Sequence, residues 1–262
     1  MTQPPAGPEA LTPQVLSGDG GRFGSVRAAT ERLIAMGYGL SYDAVVSGFP
    51  PYERMLGEIS TLVARSAPAG PESSVLDVSC GTGTVAARIA ALGYRVTGVD
   101  AVAHLVDVAR ERWAGRGLAL TFDHRDIAGK PTPVDGTFDV VVSMHTLYWH
   151  PRPDALLAAC RRALKPNGHA IFLTYGRPAR VLSTLGQIRR QGGRLDALRA
   201  LRWLLPTAVF ETLRSVEPRY LSEPDFRRAM TTAGFEVLDL HETFLAGISR
   251  IAWTRVHPSI AG

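Results

Sequence analysis

Two acidic residues and the small-residue loop between them carry the most chemistry in this chain. Asp77 ends the apolar run Val75–Leu–Asp and is followed, after Val78, by Ser79–Cys–Gly–Thr–Gly83. Asp100 ends a second run, Arg95–Val–Thr–Gly–Val–Asp100. Gly81 and Gly83 permit a sharp turn and let a ligand approach backbone that a Cβ would obstruct. A carboxylate at the end of the next strand can accept two hydrogen bonds from a ribose diol. Together these features point to an adenosine-containing ligand. The loop also satisfies Gly-x-Gly-x-x-Ala (Gly81, Gly83, Ala86), with an acid 17 residues beyond Gly83, so spacing alone leaves a dinucleotide open. Asp77 argues for a different ligand: a carboxylate before the loop repels a pyrophosphate but attracts a sulfonium and an ammonium.

A second group follows the β-branched run Phe138–Asp–Val–Val–Val–Ser143, in Met144–His–Thr–Leu–Tyr–Trp–His150. His145, with an ordinary pKa of about 6.5, is the candidate general base, and Tyr148 is a second candidate. The same histidine could instead only hydrogen-bond ligand or backbone. His145 and His150 do not share a helical face and no nearby carboxylate completes a ligand set, so no metal is expected. Tyr38, Tyr42, Phe49 and Tyr52 punctuate a Gly- and Pro-containing passage; they suit either a lid over a ligand or ordinary core packing.

Strands must deliver these groups to one edge. Strands are expected over Ser74–Val78, Arg95–Asp100, Leu118–Phe122, Phe138–Ser143 and His169–Thr174, alternating with helices over Thr84–Ala91, Ala103–Arg112 and Pro153–Leu164. Lys165–Pro–Asn–Gly168 reads as a turn. A helix over Glu223–Ala233 stops at Gly234, and Phe235–Leu240 and Ser249–Val256 close the pattern as an antiparallel pair. This order predicts an α/β protein with a doubly wound, seven-stranded, mostly parallel sheet. Residues 1–22 read as a disordered tail, 23–68 as a helical lid, 69–176 as the core, 177–222 as a helical cap insertion and 223–262 as the end of the core.

Leu76–Asp–Val–Ser–Cys–Gly–Thr–Gly83 resembles the first motif of class I S-adenosylmethionine-dependent methyltransferases, in their small-molecule, UbiE-like branch. Ser79 stands where that family more often has Gly or Ala. The resemblance covers about residues 70–175 well and 223–256 loosely, and it implies S-adenosyl-L-methionine as cofactor. It further implies that Asp77, Ser79, Gly81, Thr82 and Gly83 hold the methionine portion and the loop wall, with Asp100 on the ribose and Ala101 beside the adenine. Asp126 and Ile127 would meet the adenine edge, Ser143 and Met144 would lie beneath the sulfonium, and Tyr42 would belong to the lid. Methyl transfer is an in-line displacement, so the protein must align the acceptor, exclude water and, for some acceptors, remove a proton. A methyltransferase acting on an O, N or C atom of a small, specialised metabolite is the expected function. A natural-product cyclase of the same fold that binds the sulfonium without transferring methyl is an alternative. An RNA methyltransferase is another. Ser143–Met–His–Thr146 lacks the Asn/Asp-Pro-Pro-Tyr character that holds an extruded base, and no nucleic-acid partner is expected.

Composition sets the outer bounds. With 262 residues, 45% hydrophobic and 20% charged, the chain suits one large soluble α/β domain. It shows neither a signal peptide nor a membrane-spanning run, and Cys80 and Cys160 define no disulfide framework, so a cytoplasmic location is expected. The charge is uneven. Residues 177–219 hold nine Arg against Asp196, Glu211 and Glu217, a net +6 within a chain of net +5. That excess suits a solvated face, an anionic acceptor, a membrane surface or a nucleic acid. Leu195, Leu198, Leu201, Leu204 and Leu205 recur at helical spacing with Arg194, Arg199 and Arg202 opposite, which predicts a helix laying its leucines on the domain. Trp203, Phe210 and Leu213 would then line an acceptor pocket. Oligomeric state is left open.

Overall fold

The structure is a computed structural model that describes residues 49–129, 135–178, 180–213 and 218–256. The first helix, α1 (Pro50–Ser66), buries Met55, Leu56, Ile59, Leu62 and Val63, each at most 4% exposed. Those positions recur every three to four residues along one stripe, and each full burial contributes about 1.5–3 kcal/mol. The stripe packs into the same apolar cluster as Val75, Val140, Val142 and Ile171. Residues 50–66, which the sequence suggests as part of a lid, thus cover one face of the sheet.

Seven strands follow the order β3-β2-β1-β4-β5-β7-β6. They are β1 (Ser74–Val78), β2 (Arg95–Asp100), β3 (Leu120–His124), β4 (Phe138–Met144), β5 (Leu164–Tyr175), β6 (Phe235–Thr243) and β7 (Ser249–Val256). Pairings from β3 to β5 are parallel, whereas β7 runs antiparallel to both β5 and β6. The expected doubly wound, mostly parallel sheet is therefore present. All five residues of β1 are buried, as befits a central strand covered on both faces. Helices α2 (Thr84–Ala90), α3 (Ala103–Trp113), α4 (Pro153–Ala163) and α6 (Glu223–Thr232) form the layers with α1. Leu156, Leu157 and Cys160 of α4 and Phe226 and Met230 of α6 join Leu76, Val141 and Phe172 on the face opposite α1.

β3 lies two residues later than the spacing suggests. β5 begins earlier than expected because Leu164 pairs with Phe138 before the chain bulges and rejoins register at His169 opposite Val140. The expected turn sits inside that bulge, where Asn167 takes the left-handed region at φ 63°. The insertion forms α5 (Val181–Leu213), broken at Gly193 with φ 87° and ψ −176°. Leu204 packs inward as expected, but three of the helix's other leucines do not. Ala200 and Leu204 pack inward, while Leu195, Leu198 and Leu205 are 70%, 66% and 54% exposed. The side chains of Arg202, Trp203, Phe210 and Leu213 lie outside the described residues, as do Tyr38 and Tyr42.

Candidate cofactor and acceptor cleft

β1 has β2 on one side and β4 on the other, so the chain winds away from it in both directions; in open sheets of this kind a ligand sits beyond the carboxyl ends of the strands at that point. Every site residue suggested by sequence that falls in the described part reaches this edge. Three turns deliver most of them.

The first turn follows β1. Ser79, Gly81 and Gly83 all take positive φ (60°, 54° and 79°), and the Gly83 N–H donates to the Cys80 carbonyl at 2.9 Å. From behind, Trp113 donates its Nε1–H to the Thr82 carbonyl at 2.9 Å, and Thr82 is buried. A Cβ on Gly83 would come within 2.4 Å of Phe122, so this glycine is required for packing as well as for conformation. Ser79 has no such licence; a left-handed L-residue costs about 1–2 kcal/mol and is typical of functional turns.

Asp77 is 1% exposed and its Oδ2 has no hydrogen-bond partner. Burial drives its carboxyl up from 3.8 to about 8; the Ala86 N–H opposes the rise and the charge of Asp100 adds to it. An unpartnered buried carboxyl oxygen is costly unless a ligand supplies the donor. Together with the glycine turn, it fits a methyl donor bearing an ammonium and a sulfonium. Asp100 accepts from the Gly81 N–H and the Val102 N–H, both at 2.9 Å, and burial raises its pKa despite these bonds. It therefore fastens the β1 turn to the β2 turn and keeps spare lone pairs for a diol. Asp100→Ala is expected to weaken calorimetric affinity for S-adenosylhomocysteine by ~1–3 kcal/mol. Unchanged affinity would remove Asp100 from the ribose site.

After β3, Asp126 accepts from the Ala128 N–H at 3.0 Å and faces Arg152 at 3.4 Å, with Ile127 buried beside it. Ala101 is exposed on the β2 turn, its carbonyl 3.1 Å from His124 Nε2.

The third turn follows β4. Ser143 is 1% exposed with an unpartnered Oγ, and Met144 is partly buried. His145 adopts φ 52°, held by its N–H to the Leu173 carbonyl (2.6 Å) and by Trp149 Nε1–H to its own carbonyl (2.8 Å). Its ring lies flat on Tyr175, centroids 3.9 Å apart and 7° from parallel, and its Nε2 meets Ser249 Oγ at 2.9 Å. Burial lowers its pKa from 6.5 to about 3, so the imidazole is neutral at physiological pH. Tyr148 packs edge-on against Tyr175 at 4.8 Å and beside Tyr220 at 6.4 Å. Phe244 lies 6.2 Å from His145 and 6.4 Å from Phe49. His150 accepts from the Arg152 N–H and is depressed by partial burial.

Tyr175, Tyr220, Phe244 and Ser249 were not singled out by sequence. Tyr175 ends β5 and Phe244 just follows β6, so a place at a strand's carboxyl end was the signal available for them, whereas Ser249 reaches the same edge by beginning the antiparallel β7. Burial pushes both thiols up, Cys160 to about 12, so neither is a nucleophile at neutral pH. Among the described residues there is no cluster of His, Cys, Asp or Glu that could hold a metal ion. No described helix is long and apolar enough to cross a membrane.

Comparison with known proteins agrees with this geometry. Residues 52–240 match a family described as a methyltransferase domain, which is well over half of the chain. Over 106 residues the chain is 36% identical to the ubiquinone biosynthesis O-methyltransferase of Pectobacterium carotovorum, covering 40% of this chain and 44% of that one. It spans less than half the length of the curated relatives it matches. Among solved structures, 1,6-didemethyltoxoflavin-N1-methyltransferase of Burkholderia thailandensis, with bound S-adenosylhomocysteine, shares the fold at a TM-score of 0.59 and 16% identity, covering 96% of this chain and 100% of that one. The [4+2]-cyclase SpnF shares it at 0.55 and 21%, covering 76% and 80%. By its family match, its sheet and its loop, the chain belongs to the class I methyltransferases that take S-adenosylmethionine as cofactor.

Proposed function

We propose that this protein transfers the methyl group of S-adenosylmethionine to an O, N or C atom of a small, specialised metabolite in the cytoplasm. The observation that carries the small-molecule reading is the aromatic cluster of His145, Tyr148, Tyr175, Tyr220 and Phe244, gathered at the sheet edge where β1 and β2 end in Asp77 and Asp100. Such a cluster suits an apolar, planar acceptor, and its electron-rich faces favour a nearby sulfonium. The named activity of the curated relatives supports oxygen as the acceptor atom. In this reading Asp77 faces the cofactor's ammonium and Ser79, Gly81, Thr82 and Gly83 enclose its methionine portion. Asp100 takes the ribose, Ala101, Asp126 and Ile127 border the adenine, and Ser143 and Met144 underlie the sulfonium. The reaction itself consumes one cofactor and releases S-adenosylhomocysteine and a proton; the chain's residues align the acceptor and exclude water.

His145 then acts as a neutral hydrogen-bonding group that orients the acceptor with Ser249, and Tyr148 forms the wall. A base of pKa about 3 holds a proton too weakly for efficient proton removal at neutral pH. His145→Ala is accordingly expected to lower kcat roughly 10- to 100-fold while leaving S-adenosylhomocysteine affinity within about twofold. The wild-type kcat profile should show no inflection near pH 6.5. An inflection there that disappears in the variant would restore the base role. The function is tested by incubating the protein with methyl-labelled cofactor and metabolite extracts and identifying labelled products by mass. Cofactor binding without any labelled product or S-adenosylhomocysteine release would overturn it in favour of a non-methylating role.

A further inference from the structure

We infer that the solvent face of α5 beyond its break at Gly193 docks on the surface of an anionic lipid bilayer. Helices normally turn one apolar stripe inward, and α5 does so with Ile188, Ala200 and Leu204. It also carries a second apolar set on the outside. Leu182 is 85% exposed, Leu195 70%, Leu198 66% and Leu205 54%. These are four of the seven large hydrophobic residues that are exposed among the described residues. Leu195, Leu198 and Leu205 are spaced i, i+3 and i+10, which aligns them along one side of the second half of the helix. Exposed arginines are interleaved with them. Arg199 and Arg194 stand one turn from Leu195 and Leu198, and Arg189 and Arg190 stand two turns from Leu182.

Charge selects the occupant. Between residues 181 and 205 there are five arginines against the single acid Asp196, which already faces Arg199 at 3.4 Å. Guanidinium groups among leucines suit a bilayer interface, where the leucines enter the acyl boundary and the arginines reach lipid phosphates. A second copy of the same face would bring like charges together with almost nothing to offset them. Single-stranded RNA would use the arginines but not the leucines, which offer no stacking plane to a base. The inference is independent of which acceptor the cleft takes.

Sedimentation of the full chain with vesicles tests it, using phosphatidylcholine alone and phosphatidylcholine with about one-third phosphatidylglycerol. Partitioning onto the anionic vesicles should be at least ~10-fold higher and should fall with added salt. Leu195→Gln with Leu198→Gln should lower it at least ~5-fold without changing the thermal melt, since both side chains are solvent-exposed. Arg194→Gln with Arg199→Gln should lower the preference for anionic lipid at least ~5-fold and gives a separate readout should the leucine pair disturb folding. Equal or absent sedimentation with both vesicle types overturns the proposal. So does a dimer that the leucine variants dissociate, or retention on poly(U) resin that competes with vesicles and ignores the leucine changes.

Discussion

Asp77→Asn is expected to stabilise the ligand-free protein while weakening its hold on the cofactor. The Asp77 carboxyl titrates at about 8 in the folded chain, against 3.8 when unconstrained. Between those values the folded state retains a proton that the unfolded chain releases, so stability declines as pH rises from about 4 to about 8 and is level beyond. Asparagine carries no titrating proton and escapes that penalty. By linkage the gain at pH 8 should reach up to about 5 kcal/mol, read as a higher melting temperature that is far less dependent on pH across this window. Cofactor binding should move in the opposite direction. A cationic ligand favours the ionised carboxylate, so wild-type affinity for S-adenosylmethionine should rise between pH 6 and pH 8, with proton release on binding. The variant should lose ~1–3 kcal/mol of affinity and most of that pH dependence. A variant that melts lower, or that binds with wild-type affinity and pH profile, would remove Asp77 from the cofactor site.

Gly83→Ala should be the most damaging single-methyl change in the loop. At φ 79° an alanine is strained, and its Cβ would sit 2.4 Å from Cζ and 2.6 Å from Cε1 of Phe122. Phe122 cannot retreat easily, because it is buried and packs over Gly98 as well. Left-handed strain of about 1–2 kcal/mol adds to overpacking of about 1–3 kcal/mol, so a loss of roughly 2–5 kcal/mol is expected. Gly81→Ala supplies the comparison. It shares the positive φ (54°) but meets no atom within 4 Å, so it should lose only the strain component. Chemical denaturation of both variants separates the two contributions; equal losses would show that the Phe122 contact is unimportant.

Much of this was legible in the sequence, for identifiable reasons. Buried parallel strands are short apolar runs, and the β1 loop needs residues without bulk, so Ser74–Val78, Arg95–Asp100 and the glycine turn stand out locally. The acceptor wall does not, because it is assembled from places far apart in the chain. Ser249 meets His145 across 104 positions, and Tyr175 meets it through the β4–β5 pairing. The neutrality of His145 likewise depends on what surrounds it, not on its own type. In α5 the pattern itself misled. Of the leucines expected on the domain, Leu204 is buried, but Leu195, Leu198 and Leu205 face out and Ala200 takes a place on the inner face. Small residues permit the closer approach, a preference that leucine counting cannot see.

Together, the β1 and β2 turns are proposed to hold a positively charged methyl donor. Isothermal titration calorimetry of the full chain with S-adenosylmethionine, S-adenosylhomocysteine and NAD tests it directly. One equivalent of each sulfur nucleoside should bind, with NAD giving no heat and failing to compete. Saturation by NAD with no uptake of either sulfur nucleoside would contradict the account.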